Sequence, residues 1–288
     1  MNPKFNRTVL MSDTDFFDSA SAINPFMDSA NPIDLPAAKA EHDSIKAALQ
    51  SAGVTVVNVA SPLNCQDGVY AANWALVRGD IAVVARLPGV RQGEEAYAQK
   101  TLRDLGKTIV MIPEGLRFSG QGDALPCGNY LLTGSNYRTD PAVHALLAET
   151  LGYEVISLQT VPQIDPSGNS VINAVSGWPD SFFYDIDLAI SVLRSDLIAW
   201  CPEAFMPDSQ DKIRALPIER IEVSLEEALQ AFACNLVSTG EIVVMSNLAP
   251  NFRAAVEAHG LKTITPNITE LAKGGGYIRC TTLTLDNL

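Results

Sequence analysis

The 288-residue sequence predicts an α/β protein built as a closed cyclic array of five units, each ordered roughly ββαβ. Three observations lead there. An amphipathic helical segment that ends at a glycine and passes at once into a β-branched strand recurs along the chain. The helix-ending glycines Gly53, Gly106, Gly152 and Gly260 lie 53, 46 and 108 residues apart, and the last interval is close to two units. Paired strand segments lie between the helices, and a doubly wound sheet of simple βαβ units fits them poorly.

In chain order, "AAKAEHDSIKAALQSAG" passes into "VTVVNV", "EEAYAQKTLRDLG" into "KTIVMI", "DPAVHALLAETLG" into "YEVISL", and "NFRAAVEAHG" into "LKTITP". Glycine at each helix end supplies a left-handed cap. The unit between Gly152 and Gly260 is assigned to "SLEEALQAFACN" followed by "LVSTGEIVVMS", where Ser224 and Glu227 form a capping box. The strand pairs are "GVYAANWALV" with "DIAVVAR" and "FFYDIDLAISVL" with "LIAWCPEAF". No linker or composition shift divides the chain, so residues 1–288 are expected to form one domain.

The apolar fraction of 47% and charged fraction of 18% suit a protein with a substantial core. A net charge of −13 makes nucleic acid a poor partner. No apolar run is long enough to span a membrane, and "MNPKFNRTVLMSDTDFF" is interrupted too soon for a leader. Five cysteines, odd in number and without CxxC, argue against a disulfide framework or a structural zinc, so a cytoplasmic setting is expected. His42, His144 and His259 fall in separate predicted helices and are expected to be partly exposed, which leaves no metal site.

The Gly-rich stretches "FSGQGDAL" and "KGGGYIR" lack the spacing of a phosphate-binding loop or a dinucleotide fingerprint, and no GxSxG occurs. Cys234 falls inside an apolar helix as a core filler, and Cys65, Cys127 and Cys201 neighbour strand ends, where burial is the default. Cys280 differs, since it follows a glycine run and an arginine at the edge of a strand. With a free-thiol pKa of about 8.5, it would need help to act as a nucleophile.

Seven segments, in order and across nearly the whole chain, resemble the pentein-fold guanidine-modifying enzymes. That superfamily includes the dimethylarginine dimethylaminohydrolases, arginine deiminases, amidinotransferases and arginine dihydrolases. The segments are "FFDSASAINPFMD", "CQDGVYAANWALV", "GVRQGEE", "FSGQGDAL", "GSNYRTD", "FYDIDLAISVL" and "GGGYIRCTTLTL". The resemblance implies a five-bladed ββαβ propeller with its site on the axis and no cofactor. It implies Cys280 as the nucleophile toward a guanidino or ureido carbon, and Asp187 as the guanidinium-binding aspartate. Asn24, Asn73, Ser119 and Gly275 would contact substrate, and Arg91 and Arg138 would grip its carboxylate. The partner implied is a small guanidino or ureido amino acid, and a homo-oligomer is allowed.

The departures bear on mechanism. Where the family has the histidine of "FYHLD", its general acid and base, this chain has Asp185, and the glutamate of "FEGEGD" is replaced by Ser119. Asp185 and Asp187, two apart in an expected strand, would share one face and titrate together, one holding a proton near neutrality. The leading expectation is a cysteine-dependent hydrolase with Asp185 in the histidine's place. Its alternatives are a pentein that binds an arginine-like ligand without cleaving it, and an amidinotransferase.

Overall fold

The computed structural model describes residues 5–287, so the first four residues of the N-terminal stretch weighed as a leader lie outside it. Fifteen strands among the described residues form five three-stranded sheets. In the first, β1 (Thr8–Ser12) pairs in parallel with β2 (Thr55–Val59) and antiparallel with the last strand, β15 (Leu283–Thr284). Val9 faces Thr284 and Leu10 faces Leu283, so both ends of the described chain meet in one sheet.

The other four sheets repeat the plan. They are β3 (Ala75–Arg78), β4 (Ile81–Val84) and β5 (Thr108–Met111); β6 (Ala124–Cys127), β7 (Tyr130–Gly134) and β8 (Glu154–Leu158); β9 (Ile190–Arg194), β10 (Leu197–Trp200) and β11 (Glu219–Glu222); and β12 (Val237–Ser238), β13 (Ile242–Val244) and β14 (Lys262–Ile264). In each, the first strand pairs antiparallel with the second, and the second pairs in parallel with the third. A parallel pair needs a crossover, and a helix supplies it every time. These are α1 (Leu35–Ser51), α2 (Gln92–Asp104), α3 (Val143–Leu151), α4 (Pro207–Ala215) and, after the short α5 (Leu225–Gln230), α6 (Pro250–Ala258). This is the five-bladed ββαβ fold that the repeat pattern predicts.

Gly53, Gly106, Gly152 and Gly260 all have positive φ, as the expected left-handed helix ends require. Helix faces pack on their own sheets: Ala98 and Leu102 of α2 join Ala82, Val84 and Trp74 in one apolar cluster. Val143, Leu147 and Leu151 of α3 join Ala124 and Leu131 in another.

The fourth unit differs from the expectation. Its crossover helix is α4, "PDSQDKIRA", and not "SLEEALQAFACN", which forms α5 and links the fourth sheet to the fifth. The reason is compositional: α4 buries only Ser209 and Ile213, and no glycine ends it, so it carries neither signal of the repeat. Ser224 does cap α5, its Oγ accepting from the Glu227 N–H. Glu227 then accepts from the backbone N–H groups of Asn251 and Phe252 and caps α6. His42 is also buried rather than partly exposed, because Ala38, His42, Ile45 and Leu49 share the inward face of α1.

Candidate active site

Each inner strand is entered through a tight turn closed by an i to i+3 backbone bond, and these turns carry the polar residues of the centre. The closing bonds run from Asn73 N to Tyr70 O, Asp123 N to Gly120 O, Leu188 N to Asp185 O, Asn235 N to Phe232 O and Thr282 N to Arg279 O. Asn73 thus precedes β3, Asp123 precedes β6, Asp185 and Asp187 precede β9, Asn235 precedes β12 and Cys280 precedes β15. Asp185 and Asp187 were expected within a strand; they flank Ile186 in a turn instead. The Asp123 carboxylate fixes that turn by accepting the Ile186 N–H at 3.0 Å.

Cys280 is 2% exposed, and Asp185 and Asp187 are each 1% exposed. The Cys280 thiol lies 3.4 Å from Asp187 Oδ2 and receives a hydrogen bond from Asn235 Nδ2 at 3.1 Å. Asp185 Oδ2 accepts from Asn73 Nδ2 at 2.7 Å, and the same amide reaches Ser119 Oγ at 2.9 Å. Gly122 permits this closeness, because a Cβ there would lie 2.7 Å from Asp185 Oδ2. Asp185 Oδ1 and Asp187 Oδ1 accept no hydrogen bond among the described residues although both are buried. Such orphans are rare, and each needs a reason.

The two arginines differ. Arg91 was expected to grip a substrate carboxylate, but its guanidinium bonds both Glu94 oxygens at 2.8 Å, Asn73 Oδ1 at 2.8 Å and the carbonyls of Asp67 and Tyr70. Arg138, 6% exposed, donates one hydrogen bond among the described residues, from Nη2 to Ile23 O at 2.9 Å, and stacks over the Tyr184 ring at 4.0 Å. Its other N–H groups face no carboxylate within ion-pair distance among the described residues.

Asn24 lies against the glycine run, its Nδ2 donating to Gly274 O at 3.0 Å. Gly275 has φ +85°, and a Cβ there would fall 2.5 Å from Asn24 Oδ1. The close approach these glycines allow is therefore to Asn24 and to Tyr70, whose ring a Cβ on Gly276 would meet at 2.5 Å. Tyr184 Oη donates to Gly275 O at 2.6 Å.

Burial, followed by the neighbouring Asp185, pushes the proton affinities of Asp123 and Asp187 well above the usual carboxylate range. Burial also raises Asp185, against the opposing pull of Arg138 and the bonds from Ser119 and Asn73. The Cys280 thiol is driven well above its ordinary value by burial and then by Asp187. An added cation would oppose all of these shifts, because it favours the charged form of the thiol and of each carboxyl group.

Among the described residues no group of three or more His, Cys, Asp and Glu side chains could hold a metal ion, and no helix is long and apolar enough to cross a membrane. All five cysteines are buried and unpaired, and Cys234 lies in the turn beyond α5 rather than within a helix. Asn235 is the residue that the sequence reasoning missed. Its place just before an inner strand repeats that of Asn73, and this register was the available signal.

Residues 14–286 match the family model for N,N dimethylarginine dimethylhydrolase, eukaryotic. The chain is 33% identical over 279 residues to the N(G),N(G)-dimethylarginine dimethylaminohydrolase of Mycobacterium tuberculosis, covering 96% of this chain and 85% of that protein. It is 29% identical to the bifunctional arginine dihydrolase/ornithine cyclodeaminase ArgZ of Synechocystis, covering 96% of this chain but only 37% of that longer protein. The N-terminal domain of ArgZ, an arginine dihydrolase solved with its product, superposes with a TM-score of 0.86 at 28% identity over 97% of each chain. A further structure of that domain carries a covalently bound reaction intermediate.

Proposed function

The chain belongs to the N,N-dimethylarginine dimethylhydrolase family of pentein-fold enzymes, and on that premise we propose that it cleaves a C–N bond of a guanidino group through a covalent adduct on Cys280. The substrate class is an arginine-like amino acid. One observation carries this reading: the buried, unpaired oxygens Asp185 Oδ1 and Asp187 Oδ1 stand in the same centre as the Cys280 sulfur. A planar cation rich in N–H donors would satisfy both oxygens and relieve the repulsion between the carboxylates.

In this reading the entering guanidinium makes the thiolate affordable, because its charge offsets the carboxylates that hold the thiol neutral. The thiol proton passes to Asp187 Oδ2, its 3.4 Å neighbour. Sulfur attacks the guanidino carbon, a C–S bond forms, and the C=N electron pair moves onto nitrogen. The leaving nitrogen takes a proton from Asp185 and departs as ammonia or amine, leaving a thiouronium. Water then attacks that carbon and Asp185 accepts its proton; the C–S bond breaks as Asp187 returns its proton to sulfur, and the remaining hydroxyl proton of the ureido product passes to the released ammonia or amine. Asp185 suits the role of the missing histidine because burial raises its proton affinity while one oxygen remains free.

Arg138, with unspent donors, is assigned the substrate carboxylate. Arg91, bound to Glu94 and to Asn73 Oδ1, is assigned to hold the Asn73 amide against Asp185. The raised thiol favours one rival, a protein that binds such ligands without cleaving them. Incubation with arginine, dimethylarginine and related ureido compounds separates the two. Released ammonia or amine, with a mass adduct on Cys280 that Cys280→Ser abolishes, is the expected result. Tight binding with no product and no adduct overturns the hydrolase.

A further inference from the structure

Asn235 is fully buried, and its side chain reads both segments that bear the reacting groups. Its Oδ1 accepts the Cys280 backbone N–H at 3.1 Å, and its Nδ2 donates to the Asp187 carbonyl at 3.4 Å and to the Cys280 sulfur at 3.1 Å. The orientation of the amide is not arbitrary. Flipped, it would set an N–H against the Cys280 N–H and an oxygen against the Asp187 carbonyl.

We propose that Asn235 is a catalytic residue that stabilises the Cys280 thiolate through its Nδ2–H and fixes the sulfur beside Asp187. The proposal rests on the hydrolase reading above and concerns the step before attack. In that step the S–H bond breaks, an O–H bond forms on Asp187 Oδ2, and the negative charge moves from carboxylate to sulfur with no net change. An N–H bond to a thiolate is charge-assisted and stronger than one to a thiol, so the donor favours the product of that transfer.

The surroundings make such a donor matter. Asp187 and Asp185 face the sulfur and oppose a second negative charge. The Tyr70 and Tyr184 hydroxyls, both kept neutral by burial, also feel it. Arg279 supplies positive charge, but its N–H groups donate to Thr284 Oγ1 at 2.9 Å and Gln121 Oε1 at 2.8 Å. A backbone hydrogen bond from Tyr277 also favours the thiolate, and Asn235 Nδ2 is the side-chain donor in hydrogen-bond contact with Sγ among the described residues.

The test is a pH titration of the sulfur by far-ultraviolet thiolate absorbance, each protein read against its own Cys280→Ser counterpart, with a thermal melt as a folding check. Asn235→Ala removes donor and acceptor together. Asn235→Asp keeps the side-chain volume and an oxygen for the Cys280 N–H but replaces the donor. Both variants are expected to raise the apparent thiol pKa by about one unit or more, the scale of a hydrogen bond to a charged group. An unmoved titration in both variants overturns the proposal, and so does a shift confined to Asn235→Ala, which would mark positioning alone. The absorbance reads the sulfur without turnover, so a guanidino panel that yields no product would sink the hydrolase while leaving this outcome readable.

Discussion

Two clusters of buried charge meet at Asn73, and they differ in how completely they are satisfied. On one side, Glu94 receives two bonds from Arg91 and one from Trp74 Nε1 at 3.0 Å, and Arg91 also reaches Asn73 Oδ1. Burial alone would lower the proton affinity of Arg91, but the adjoining Glu94 carboxylate more than offsets this and raises it. On the other side, Asp185 and Asp187 each keep an unpaired oxygen, and the sulfur between protonation states depends on them. The contrast separates scaffold from site. Charges that satisfy one another hold the fold, and charges left unsatisfied await a ligand.

The largest effect should come from the unsatisfied side. Asp185→Asn removes the group proposed to carry protons, so turnover should fall by about a hundred- to ten-thousand-fold. Folding should be undiminished, because a neutral amide relieves the repulsion from Asp187 and Asp123. Steady-state rates and urea unfolding of the same preparation check both halves. Near-parental activity would remove Asp185 from the mechanism.

On the satisfied side the expectation reverses. Glu94→Gln leaves Arg91 as an uncompensated buried cation and should cost about 3–5 kcal/mol of stability. A cost below about 1 kcal/mol in urea unfolding would show that the pair is not the scaffold it resembles. Arg138 lies between the two cases, with one bond made and others unspent. Arg138→Ala should raise KM roughly tenfold to a hundredfold while leaving kcat within a few-fold, by loss of charge-assisted bonds to the substrate carboxylate. Equal losses in kcat and kcat/KM would place it at the reacting carbon instead.

Much of this contrast can be traced in the sequence, though unevenly. Helix, glycine and strand recur because four of the five crossovers end in a left-handed glycine turn before a parallel strand. The fourth was hidden because α4 is polar and carries no terminal glycine. Cys280 and Asp187 were visible as candidates through the resemblance, and they do meet, at 3.4 Å. The exhaustion of Arg91 was legible in principle, since Glu94 stands three residues on, where a helical turn brings it back. A family position, however, names a residue without naming its partner. Asn235 escaped because its one signal, the register it shares with Asn73 before an inner strand, shows only once the strand boundaries are known.

Asp67 gives the cleanest test, because it belongs partly to each cluster. Its backbone carbonyl accepts from Arg91, but its carboxylate takes a side-chain bond from Gln66 at 3.0 Å while Glu94 claims the Arg91 charge. Burial, only partly offset by Arg91, lifts its pKa to about 6 from an ordinary 3.8. A carboxyl raised on folding binds its proton more tightly in the folded state, so stability declines as pH rises through the window from about 4 to about 6. The contribution is fully favourable below that window and absent as an advantage above it. Asp67→Asn cannot titrate, so the variant should gain on the parent across the same window, reaching roughly 2–3 kcal/mol above pH 6. Paired urea melts from acid to neutral pH measure the difference directly. A difference that stays flat with pH would mean that the charge at Asp67 is already satisfied and that the scaffold extends one residue further than the hydrogen bonds indicate.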